Sequence, residues 1–109
     1  MKIMNLTPHS ITLMVGDTKL VIEPSGSVAR VSATTEVVGE VKVGDLTIPI
    51  TSTVFGQVEG LPDQADDTIF IVSSLVAGRV PDRKDVFIPN QSVRDDKGRI
   101  IGCLSLGKI

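Results

Sequence analysis

Val37-Val38-Gly39-Glu40-Val41-Lys42-Val43-Gly44-Asp45-Leu46-Thr47-Ile48-Pro49-Ile50 is the stretch that decides the fold. At a period of two, Val37, Gly39, Val41 and Val43 fall on one face and Glu40 and Lys42 on the other. After Gly44-Asp45, Leu46, Ile48 and Ile50 return with Thr47 and Pro49 opposed. Strict alternation of this kind is the signature of a strand, because successive side chains point to opposite sides of the pleat. Glycine at the first central position of a two-residue loop supplies the positive φ of a type II′ hairpin turn. Pro49 has no N–H for a ladder, so its strand is expected at a sheet edge.

Working outward, the same device recurs upstream. Ser10 to Val15 places Ile11, Leu13 and Val15 on one face, Gly16-Asp17 turns the chain, and Thr18 to Glu23 resumes an extended run. A third strand is expected over Ser27 to Ser32, after the break at Pro24-Ser25-Gly26. Downstream, Thr51 to Val58 continues extended, and Glu59 to Asp67, with Gly60, Pro62 and four acids, reads as an exposed loop.

The last third differs. Thr68-Ile69-Phe70-Ile71-Val72 is a continuous apolar run, the pattern of a strand covered on both faces. Ser73 and Ser74 are candidate N-caps for one short helix near residues 74–80, ended by Gly78 and Pro81. Asp85 to Ile88 is extended, Pro89-Asn90 is expected to turn, and Val93 to Asp95 leads through Asp96-Lys97-Gly98 into Arg99 to Leu106. Asp-Lys-Gly between extended runs suits a three-residue hairpin loop, with Gly98 left-handed. The expectation is one mainly β domain over residues 1–109, barrel- or sandwich-like, built of antiparallel hairpins in about nine short strands with one helix.

Composition agrees. Of 109 residues, 15 are valine, 11 isoleucine and 9 threonine, a β-branched bias that suits pleated sheet and argues against a helical bundle. Ample apolar content and a single cysteine exclude a disordered chain and a disulfide scaffold. Eleven basic residues oppose thirteen acids with no block of like charge, so the basic stripe of a duplex nucleic-acid binder is missing. Only Phe55, Phe70 and Phe87 are aromatic, which removes the stacking platform of single-strand binders. No apolar run is long enough to span a membrane and no secretory leader precedes the first strand, so a cytoplasmic protein without membrane partners is expected.

Three polar clusters could carry chemistry. In Asn5-Leu6-Thr7-Pro8-His9, Pro8 fixes the local geometry, so Asn5, Thr7 and His9 are held in a defined arrangement. His9, the only histidine, could serve as a base or as an anion donor, or the whole segment could be a turn whose side chains satisfy backbone groups. Ser73 and Ser74 either meet an anion at the helix start or simply cap it. The third cluster, Arg79, Asp82, Arg83 and Asp85 with Arg94 and Asp95, either ties loops together by bidentate pairing or presents guanidinium groups to an anionic ligand. Cys103 sits among Ile100, Ile101, Leu104 and Leu106 and reads as a buried, inert thiol. One His and one Cys cannot make a structural zinc site, and Asp63, Asp66 and Asp67 lack calcium-loop spacing, so no metal is expected. No nucleophile elbow or P-loop is present, so no cofactor or catalytic residue is assigned.

Asn-Leu-Thr-Pro-His at 5–9, Ala-Arg-Val at 29–31, Gly-Leu-Pro at 60–62, Ile-Val-Ser at 71–73, Pro-Asp-Arg at 81–83 and Val-Arg-Asp-Asp-Lys-Gly-Arg-Ile-Ile-Gly-Cys at 93–103 run along nearly the whole chain. Together they resemble a family of small proteins of phages, prophages and bacterial genomes. The resemblance implies a genomic setting, with residence in the host cytoplasm if the chain is phage-borne; in that setting the first expectation is a binding protein that sequesters an anionic, nucleotide-like small molecule such as a host immune signal. The ligand would be held by Asn5, Thr7, His9, Arg30, Ser73, Ser74, Arg79, Asp82, Arg83, Arg94 and Asp95. The alternatives are a structural or regulatory protein-interaction module, for which a homo-oligomer is the common form, and a small enzyme using His9. The ligand reading expects His9, Arg83 and Arg94 to share one concave pocket. The interaction reading expects an exposed apolar patch or an open strand edge.

Overall fold

A computed structural model describes residues 1–109. The chain forms β1 (Lys2–Asn5), β2 (Ile11–Val15), β3 (Thr18–Ile22), β4 (Arg30–Val43), β5 (Leu46–Glu59), β6 (Thr68–Ile71), α1 (Ser74–Arg79), β7 (Val86–Arg94) and β8 (Ile100–Gly107). Six strands make one sheet in the order β1-β6-β7-β8-β2-β3, while β4 and β5 pair only with each other. The protein is mainly β with one short helix, as the sequence predicts.

The six-stranded sheet is mixed. Alongside the β2–β3 and β7–β8 antiparallel pairs, β1 and β7 both lie parallel to β6, and β2 lies parallel to β8. The sheet curls until its two edges meet at one end, where Asn5 bridges to Pro24 and the Ser25 N–H donates to the Asn5 carbonyl at 2.9 Å. The result is a half-barrel with α1 packed in the β6-α1-β7 crossover.

Both Gly-Asp hairpins form as read. Val15 pairs with Thr18 across Gly16 (φ 58°), and Val43 pairs with Leu46 across Gly44 (φ 60°). Gly98 adopts φ 81° in the loop joining β7 to β8, and its N–H donates to the Asp95 carbonyl at 3.0 Å. The helix is capped by Ser73, whose hydroxyl accepts from the Val76 N–H, and it runs through Gly78 rather than stopping there.

Three further expectations need correction, and one strand lies where none was expected. The strand expected over Ser27 to Ser32 is not separate, since its second half is the start of β4, which continues to Val43. Pro89-Asn90 does not turn: β7 runs through it, with Gln91 at φ 56° absorbing the irregularity. Lys2–Asn5, which carries no local strand signal, is an edge strand. Finally, an extra residue in β4 shifts the ladder between Val37 and Gly39. Val37 therefore opposes Thr51, on the same side as Thr47 and Pro49, and leaves the face of Val41 and Val43.

The core lies in the sheet, the helix and the short segments that flank them. Leu6, Ala29, Phe70, Val72, Val76, Ala77 and Val86 form one cluster between helix and sheet, and Ile11, Leu13, Ile71 and Cys103 a second. Two-sided burial explains the unbroken run 68–72, since Phe70 and Val72 pack into the first cluster and Ile71 into the second.

The β4–β5 hairpin stands apart from this body as an arm. No residue from 32 to 57 is buried. Fourteen-residue strands extend roughly 47 Å, and the molecule measures 57 × 39 × 23 Å. Its radius of gyration, 18.0 Å, compares with about 13 Å for a compact chain of this length. No helix is long and apolar enough to cross a membrane.

Candidate functional site

The 5–9 cluster is a closed hydrogen-bond knot. Asn5 is buried, and its amide donates to the carbonyls of His9 (2.8 Å) and Ile22 (3.1 Å). Its Oδ1 accepts from the Thr7 N–H (2.9 Å) and the Thr7 hydroxyl (2.7 Å). Every polar atom of the Asn5 side chain is thus used to fasten the end of β1 to its following turn and to the end of β3. The His9 imidazole lies exposed and makes no hydrogen bond within the chain.

The arginine-rich cluster is divided among three places. Arg83 forms a bidentate pair with buried Asp85, Nε to Oδ1 and Nη2 to Oδ2 both at 2.9 Å, and also donates to the Pro62 carbonyl at 2.9 Å. This fork joins the 60–67 loop to the start of β7. Hydrogen bonding from Arg83 holds the Asp85 carboxyl below its ordinary range against the opposing effect of burial, and raises the Arg83 guanidinium above its own. Arg79 donates from α1 to the carbonyls of Phe55 and Gly56 at 3.2 and 3.3 Å, pinning the helix to the root of the arm. Arg94 donates to the Gly98 carbonyl at 2.7 Å. Asp95 accepts from the backbone N–H groups of Arg99 and Lys97 and from the Arg99 side chain, which together lower its pKa. Asp82 is exposed without a partner.

The pocket that the ligand reading expects His9, Arg83 and Arg94 to share is not among the four larger cavities: His9 and Arg83 line none of them and Arg94 lines one without the other two, because Arg83 is tied to Asp85 and Pro62 and Arg94 to Gly98. Arg79 borders a cleft of about 400 Å³ with Gly56 and Gln57, and Arg94 and Asp95 border another of about 440 Å³ with Asp96, Lys97 and Arg99. Other members of the candidate set do meet. Thr7, Arg30 and Ser73 line one half-open hollow of about 230 Å³, with Leu6, Val28, Val31 and Leu75 among its apolar walls. The turn after β1, the first residue of β4 and the N-cap of α1 converge there because the backbone of Ala29 is tied to that turn: its N–H donates to the Leu6 carbonyl at 3.0 Å. Gly60 adds to the closeness of this region, since a Cβ there would lie 2.6 Å from the Val28 carbonyl oxygen.

Within this cavity the hydroxyl of Thr7 is already engaged with Asn5 and the His9 carbonyl. Ser73 Oγ accepts from Val76, which leaves its proton free to donate. Arg30 is exposed, and its guanidinium makes neither an ion pair nor a hydrogen bond within the chain, although its backbone pairs with Glu59 in the ladder. An uncommitted guanidinium beside a small, mostly apolar hollow with a hydroxyl donor can receive one anionic group. Sequence reading names these three residues within one larger ligand set, but it does not separate them from the rest, because the Leu6–Ala29 contact that brings them together leaves no local signal. No set of three or more His, Cys, Asp or Glu side chains comes together to hold a metal. Cys103 is buried as a free thiol.

The chain matches no protein-family model, no curated protein and no solved structure.

Proposed function

We propose that the protein binds an anionic, nucleotide-like small molecule and acts by holding it. The resemblance to phage and bacterial proteins supplies the context, sequestration of a host immune signal, and one observation carries the site. Arg30, unpaired, borders the same cavity as Ser73 and Thr7. Its volume of about 230 Å³ lies a little below the range of pockets that enclose whole ligands. It therefore takes a phosphate-bearing end, with the rest of the molecule lying along the neighbouring surface. Arg30 supplies the charge-assisted fork to phosphate oxygens and Ser73 a neutral donor. Arg79, Arg83, Arg94 and Asp95 act as structural ties in this reading, because their polar groups already serve the fold.

The test is a titration of the purified chain with cyclic and linear nucleotides, followed by calorimetry and thermal unfolding. At least one nucleotide should raise the unfolding temperature, and Arg30→Ala should weaken its binding about 10- to 100-fold, the worth of a hydrogen bond to a charged group. Arg30→Ala should leave the ligand-free unfolding temperature in place. A nucleotide that binds Arg30→Ala as tightly as the unaltered chain, or a full panel that binds nothing, would overturn the proposal.

A further inference from the structure

The arm is sided in a way the body is not. Cross-strand pairing sets Val41 opposite Ile48 and Val43 opposite Leu46, and alternation along β5 adds Ile50 and Val54 to the same face. Glu40, Lys42, Thr47 and Pro49 occupy the reverse face. The outer half of the hairpin is thus amphipathic, the pattern of a sheet with one face on a core. Yet no part of this chain covers the apolar face, and its side chains are 41% to 62% exposed. Val41, Val43, Leu46, Ile48 and Ile50 alone leave roughly 400 Å² of apolar surface open, already the size of the largest patch on a typical monomer. A two-stranded hairpin is marginal in water without such cover, yet this one keeps its ladder over fourteen-residue strands with two register shifts.

We infer that the occupant of this face is the arm of a second copy of the same chain. The area fits. The six large apolar side chains of this face, Val41, Val43, Leu46, Ile48, Ile50 and Val54, leave roughly 500 Å² open, so two stacked faces cover about 1,000 Å², the least that a specific interface needs. The charges fit as well. The outer half of the apolar face carries no ionisable side chain, since Glu40 and Lys42 point the other way and Glu36 lies nearer the root. Two such faces stacked about a two-fold axis at the spacing of about 10 Å between packed sheets bring no like charges together. Each arm becomes half of a small two-layer sandwich with its own core, formed only between copies. This is independent of the ligand reading, which concerns the root of the arm and not its outer half.

Sedimentation velocity on the full chain over micromolar to high-micromolar concentrations provides the test. The unaltered chain should sediment at twice 11.6 kDa or a higher whole multiple. Ile48→Lys should return it to a single-chain mass, whereas Thr47→Lys, the neighbouring residue on the reverse face, should leave the assembly intact. Circular dichroism and thermal unfolding of both variants at low concentration should match the unaltered chain, because neither side chain touches the body's core. A single-chain mass for the unaltered protein throughout the range would overturn the inference. So would an assembly that survives Ile48→Lys, or one that Thr47→Lys breaks as readily.

Discussion

The body and the arm are made of the same residues and put them to opposite uses. In the body, valine, isoleucine and leucine are sealed between α1 and a curled sheet: Leu6, Ile71 and Val72 have no exposed surface at all. In the arm, Val37, Val43, Leu46 and Val54 are each at least 60% exposed. The body holds itself with non-local ties, including parallel pairing of β1 with β6, the Asn5 knot and the Arg83–Asp85 fork. The arm has its antiparallel ladder, a single Thr35–Thr53 hydroxyl contact and the Arg79 anchor at its root. High apolar content in a β-rich chain is therefore not in itself a measure of core. Where a face is organised, apolar and uncovered, the missing cover belongs to another molecule.

The largest effect expected from this contrast is in stability. Leu6→Ala should cost about 2–5 kcal/mol in urea unfolding, since it empties a fully enclosed site. Val43→Ala in the arm should change single-chain stability by less than about 0.5 kcal/mol. Equal losses at the two positions would break the division between body and arm.

A smaller effect separates the two regions by pH. Both ion pairs, Arg83–Asp85 and Arg99–Asp95, lie in the body and none in the arm. The Asp85 carboxyl is held below the value of 3.8 usual for the free side chain. Its charged form therefore favours the fold: the contribution is complete above about pH 4 and is lost as pH falls through the lower folded value. Stability measured by denaturant from pH 7 down to pH 2 should fall across that acid window. Asp85→Asn should cost about 1–3 kcal/mol at neutral pH and flatten the acid slope. An unchanged acid slope in Asp85→Asn would show that the fork does not contribute as described.

What was legible in the residues was whatever is local. Gly16-Asp17, Gly44-Asp45 and Asp96-Lys97-Gly98 mark turns by backbone chemistry, and the run 68–72 announces its two-sided burial by having no polar interruption. What was not legible depends on distant partners. Lys2–Asn5 becomes a strand only because residues 68–71 lie beside it in parallel, a pairing that needs no turn and leaves no mark. Pro89-Asn90 reads as a turn, but β8 supplies a ladder that carries the strand through it. The bulge at Val38 inverts the alternation of a stretch that otherwise reads cleanly. The site shows the same division. Asn5, Thr7 and His9 were visible as a polar cluster, yet the distant Ile22 carbonyl is among the groups that make Asn5 a structural fastener. Arg30 stands out only once Ala29 is seen bonded to Leu6.

Hydrogen exchange, followed residue by residue at several protein concentrations, tests the central claim most directly. Amides of β6, β7 and β8 should be protected equally at every concentration, while those of residues 39–50 should gain protection as concentration rises and the arms pair. An arm whose protection does not depend on concentration, whether fully open or fully closed, would contradict the account.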